Sequence, residues 1–177
     1  VVNLRRGTAV WQVLSAAGIS SVVLRCPLTY PPDDVQGRML AGVGVPDLRG
    51  TFGTSTFYTS AHAMAQESEH VVQMRLDGND TITTHLIGPR HPKNRSDLQA
   101  EITLHLDRAA GRVVIRSAGE PKELEVRTGE WSDWLKVKFK AGLLLSVRGM
   151  VRFYLVRLSP FLELYASPVN FDPSSPL

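Results

Sequence analysis

Apolar and polar positions alternate most cleanly at Leu135–Lys140, where Leu135, Val137 and Phe139 are separated by Lys136, Lys138 and Lys140. Successive side chains of a strand point to opposite faces, so this run predicts a strand with one packed face and one wet face. The same period runs through residues 98–106, with Ile102, Leu104 and Leu106 in phase. Shorter runs at 112–117, 123–127, 143–147, 150–158 and 161–166 predict further strands. His70–Leu76 and Thr81–Ile87 flank Asp77-Gly78-Asn79-Asp80, a turn sequence that predicts a hairpin, and residues 88–97 read as a polar loop. Roughly eight to ten short strands with frequent turns predict an antiparallel sandwich or barrel-like domain.

The first forty residues follow another period. Thr8 is placed as an N-cap, Val10, Val13, Leu14 and Ala17 recur at helical spacing, and Gly18 is placed to end a helix over 8–17. In Ser20–Cys26 the residues Val22, Val23 and Leu24 are consecutive, which predicts a strand covered on both faces in a parallel sheet. Helix and buried strand together form half of an α/β unit, too little for a stable α/β domain. The expected fold is therefore α+β and mainly β. It comprises a partial α/β segment over residues 1–45 and a large antiparallel β domain over 46–177. The Gly-rich stretch Gly42–Thr59 carries the chain from one to the other.

Composition changes this picture little. Hydrophobic residues make up 43% of the 177, enough for a sizeable core. The net charge of +3 has no long basic run behind it, so nucleic-acid binding is not expected. No apolar run approaches a membrane span, and no membrane partner is expected. Cys26 is the single cysteine, so neither an intramolecular disulfide nor a cysteine metal cluster can form. The chain opens Val1-Val2 and its first methionine is Met39, so it reads as an internal piece of a longer protein.

Several long segments carry a resemblance: Trp11–Pro32, Arg38–Ala41 with Gly42–Thr59, Gly129-Glu130-Trp131-Ser132, and Ser167-Pro168-Val169-Asn170. In this order they resemble bacterial proteins related to type I phosphodiesterase/nucleotide pyrophosphatase, in the alkaline phosphatase superfamily. The resemblance implies phosphoester hydrolysis by two divalent metals, zinc as a rule, held by Asp and His beside a Ser or Thr nucleophile. It also implies that the nucleophile and first metal Asp lie upstream of the Trp11 helix, with most other ligands downstream of Ser167-Pro168-Val169. The chain is thus expected to hold no catalytic residue, no metal and no cofactor of its own. Its expected partner is the remainder of the parent catalytic domain, with homodimerisation through the exposed N-terminal segment in its absence. The alternative is a self-standing β-rich binding module for an anionic, sugar or protein ligand.

The resemblance also implies that the Gly-rich stretch lies near the substrate of the parent. Asp47, Arg49, Thr51 and Thr54 are therefore candidate substrate-binding residues, with backbone N–H groups and a guanidinium offered to a phosphate. The plainer reading has Asp47 and Arg49 capping turns and pairing with each other. Asp77-Gly78 reads as the hairpin turn rather than a metal Asp. Of the five histidines, His62, His70, His85, His91 and His105, only His85 and His105 suggest a metal pair across a sheet, and unrelated solvent-facing histidines are preferred. Arg90-His91-Pro92-Lys93-Asn94-Arg95 reads as a solvated basic loop in preference to an anion site. Trp131 and Trp134 read as one buried and one rim tryptophan in preference to a ligand platform.

Overall fold

A computed structural model describes residues 5–61, 69–75, 80–142 and 145–174. The chain divides into two compact units, Val1–Pro46 and Asp47–Leu177. One helix and thirteen strands occur among the described residues, so the fold is mainly β.

In the first unit, helix α1 (Val10–Ala16) begins at Ala9 rather than Thr8. Gln12 supplies the capping contact, its Oε1 accepting the Ala9 N–H at 2.9 Å. The expected stripe is not what anchors this short helix, because Val10 and Val13 are exposed and Trp11 is buried. An indole buries a large apolar area in a single side chain and brings a donor that needs a partner. Trp11 Nε1–H finds it in Asp33 Oδ2 at 2.7 Å, and Arg5 pairs with the same oxygen. The helix ends at Gly18, with φ +74, where the Ile19 N–H returns to Leu14 O and the Gly18 N–H to Ser15 O.

After the turn, β1 (Ser21–Cys26) pairs in parallel with β2 (Gly37–Ala41), a strand the hydrophobic pattern did not reveal. Val22 and Leu24, expected to be covered on both faces, are 65% and 69% exposed, and Leu40 is 58% exposed. A parallel sheet normally has helices on both faces. Two strands and a seven-residue helix do not supply them.

The second unit holds three sheets. The first contains β3 (Ser55–Thr59), β4 (Glu69–Gln73), β11 (Phe153–Arg157) and β12 (Glu163–Ala166), in the order β11-β12-β3-β4. The second runs β5-β6-β7-β8: Thr81–Arg90, Asp97–Asp107, Arg112–Ser117 and Leu124–Arg127. The third orders β13 (Asn170–Phe171), β10 (Ser146–Val151) and β9 (Leu135–Lys140). Among the described residues these strands pair antiparallel except β3 with β4, which is parallel, and an isolated parallel bridge joins Thr128 to Leu155.

These sheets share one apolar core. Leu135, Val137 and Phe139 are buried in it with Ile102, Leu104, Leu106, Val113, Ile115, Phe153, Leu155, Leu164 and Tyr58. Lys136 and Lys140 face water, and Lys138 is half-buried. Gly88 is part of the same packing, since a Cβ there would lie 2.3 Å from the Phe139 ring.

Three expectations about connectivity are corrected. The strands at 69–73 and 81–90 lie in different sheets instead of forming a hairpin, because β4 takes β3 as its neighbour and β5 takes β6. The Asp77-Gly78-Asn79 turn itself lies outside the described residues. The strand expected over 150–158 is divided at Arg152, where the chain passes from the β9–β10 sheet to the β11–β12 sheet. The supposed loop 88–97 is mostly strand and tight turn, with β5 running to Arg90 and β6 starting at Asp97.

Candidate functional site

Asp47 opens the β unit and is buried, with 4% of its surface exposed. Its Oδ1 accepts the N–H of Arg49 at 3.0 Å and of Thr51 at 2.9 Å. Its Oδ2 accepts the Thr51 hydroxyl and, at 3.3 Å each, the N–H groups of Gly53 and Thr54. An Asp that receives the N–H two residues on forms a local turn, and here the same carboxylate gathers a whole loop. The backbone donors reserved on sequence grounds for a phosphate are thus directed at Asp47. The carboxylate does cap the turn, but with main-chain N–H groups, and the Arg49 guanidinium turns elsewhere.

That guanidinium borders a cleft of about 290 Å³ lined by Arg49, Gly50, Thr51, Gly88, Arg90 and Asp97. Asp97 stands between the two arginines, with Oδ2 4.0 Å from Arg49 Nη2 and Oδ1 4.0 Å from Arg90 Nε. Of the four candidate residues, Arg49 and Thr51 reach the cleft, whereas Asp47 and Thr54 belong to the loop that holds them. Arg90 and Asp97 were not grouped with Arg49 on sequence grounds. The signal available was their symmetric placement at the two ends of the 91–96 turn, where they are cross-strand partners.

His91 organises that turn. Its Nδ1 accepts the N–H groups of Lys93 at 3.2 Å and Asn94 at 3.3 Å, so the ring proton sits on Nε2 and is donated to Ala141 O at 2.9 Å. The basic run is thereby a turn built on its own histidine.

His70 on β4 has a buried Nδ1 with no hydrogen-bond partner among the described residues. Burial lowers its pKa, the positive charges of Arg49 and His85 lower it further, and Asp97 opposes them. Because its folded-state pKa lies below the unfolded value of about 6.5, the unfolded chain takes up the proton first as pH falls. Stability from this group is full above about pH 6.5 and is lost as pH drops towards the folded value. Urea unfolding of His70→Gln between pH 7.5 and 5 should show a shallower loss of stability than the native chain, and identical slopes would contradict this.

His85 and His105 cannot share a metal. In the β5–β6 ladder His85 faces Glu101 and His105 faces Thr81, four positions apart, which is about 13 Å along a strand. His105 Nδ1 instead lies 3.0 Å from Thr81 Oγ1. Among the described residues no three His, Cys, Asp or Glu side chains come together where a metal could sit, so they do not fit the two-metal centre of the resembled superfamily. His62 lies outside the described residues.

Trp131 and Trp134 are both partly exposed, which corrects the expectation that one is buried. The Arg152 guanidinium lies over Trp131, 4.2 Å from the ring centroid, and 5.8 Å from Trp134, so these faces are taken up by a cation within the chain.

No family model, no curated protein and no solved structure matches this chain.

Proposed function

We propose that the chain is a non-catalytic portion of a metal-dependent phosphodiesterase or phosphatase of the alkaline phosphatase superfamily. Its first unit completes a larger parallel α/β sheet, and its β unit is an insertion in the parent catalytic domain. The supporting observation is the parallel β1–β2 pair, on which Val22, Leu24 and Leu40 are open to water. Strands paired in this way belong to sheets whose faces are covered by helices. The phosphoester chemistry rests on the segments that resemble the family. In that reading the metal centre and nucleophile are supplied by the remainder of the catalytic domain, and a second copy of the chain covers the apolar face when that domain is missing.

The experiment compares residues 1–177 with the protein encoded by the complete gene. Both are assayed on an activated phosphomonoester and an activated phosphodiester, with bound zinc measured after purification without chelators. The 177-residue chain should give no turnover above background and no stoichiometric zinc, while the complete protein gives both. Zinc-dependent turnover by the 177-residue chain that disappears on His85→Ala or His105→Ala would overturn this reading. So would a complete gene that encodes no Asp/His ligand set around this segment.

A further inference from the structure

We infer that the cleft between Arg49 and Arg90 is a binding site for a phosphate group. The inference holds whether the chain serves a hydrolase or stands alone, because every residue it uses lies in the β unit. Arg49 is held from below: its own N–H is bound by the buried Asp47 carboxylate, and only 18% of its side chain is exposed. A guanidinium so far withdrawn from water ordinarily meets a carboxylate in a two-pronged hydrogen bond below 3 Å. Here its anionic neighbour, Asp97, stays at 4.0 Å, and the same is true for Arg90. Among the described residues neither guanidinium donates a side-chain hydrogen bond. One carboxylate at the outer limit of ion pairing serves two arginines, which leaves the cleft with an excess of positive charge.

The shape suits the charge. Gly50 and Gly88 line the cleft without side chains, and a Cβ on Gly50 would meet no atom within 4 Å. The volume accepts a phosphate and a small organic group, at the lower end of ligand-sized cavities. Arg49 and Arg90 both line the cleft, and two guanidinium groups match the several oxygens of a phosphate better than the two of a carboxylate. The anion would lie between Arg49 and Arg90 and turn Asp97, which is 43% exposed, out towards water. Asp97 is then a competitor of the ligand, and its removal should help binding.

Titration calorimetry with inorganic phosphate and with phenyl phosphate, using acetate as a control, tests this on the 177-residue chain. Both phosphates should bind saturably and acetate should not, and a preference for phenyl phosphate would mark an ester rather than the free ion as the occupant. Arg90→Gln and Arg49→Gln should each weaken phosphate binding about tenfold or more, the loss of one charged hydrogen-bonding group. Asp97→Asn should tighten it several-fold. Arg90 is 72% exposed, so Arg90→Gln keeps the test valid if Arg49→Gln fails to fold. No saturable binding to either the native chain or Asp97→Asn would overturn the assignment, as would binding that both arginine substitutions leave unchanged.

Discussion

Asp47→Ala should lower the unfolding free energy by about 3–5 kcal/mol, the range seen when one partner of a buried charged network is removed. The native carboxylate receives four main-chain N–H groups and one hydroxyl from residues 49–54, a stretch that also holds Leu48 against Val169 through its N–H. Alanine leaves those donors facing one another, and each buried donor without an acceptor costs about 1–3 kcal/mol unless water reaches it. Asp47→Asn should recover little of the loss. Its carboxamide presents one NH₂, which meets the N–H groups of Arg49 and Thr51 when turned one way and those of Gly53 and Thr54 when turned the other, where only the Thr51 hydroxyl can accept from it. Urea unfolding of both variants measures this. A loss below about 1 kcal/mol in the alanine variant would mean that the loop finds other acceptors.

Phe139→Ala should cost about 3–5 kcal/mol, the usual result of deleting a fully buried aromatic ring. Phe139 is at 0% exposure, and Gly88 lies against its ring so closely that no side chain fits between them. Gly88→Ala should therefore also destabilise, by about 1–3 kcal/mol for an overpacked site. Because the two groups touch, the double variant should be more stable than the sum of the single losses implies. Lys138→Ala, on the opposite face of the strand, should stay within about 0.5 kcal/mol. A larger loss from Lys138→Ala than from Phe139→Ala would place the strand one residue out of register, and equal losses would contradict the burial of Phe139.

The β unit was legible wherever one face is packed and the other wet. Leu135, Val137 and Phe139, and likewise Ile102, Leu104 and Leu106, are buried in the phase in which they occur along the chain. Pairing was less legible, because it is chosen between distant segments. The Asp-Gly sequence at 77–78 signals a local turn, yet β4 aligns in parallel with β3, a choice that no short-range rule carries. The polar run 88–97 reads as a loop and hides the end of β5, which contains Pro89, a residue that cannot donate to a ladder. Pro89 is accommodated where the β5–β6 register shifts between Ile87 and Arg90.

In the first unit helical spacing points to Val10 and Val13, but spacing alone does not say that one tryptophan, Trp11, does the anchoring. The candidate site was half legible. Arg49 and Thr51 were found from the Gly-rich stretch, but the role of Asp47 as acceptor for the loop depends on where the carboxylate points. Arg90 and Asp97 join them through a strand register that the polar run 88–97 concealed.

Hydrogen exchange of the main-chain amides tests most directly whether residues 5–46 need a larger sheet around them. In the 177-residue chain, amides of Ser21–Cys26 and Gly37–Ala41 should exchange orders of magnitude faster than those of β6 and β9, because two uncovered strands open at little cost. In the protein encoded by the complete gene, the same amides should become as slow as the core of the β unit. Protection of β1 and β2 equal to that of β6 in the dilute 177-residue chain would show that the first unit is stable alone, and would contradict its assignment to a larger sheet.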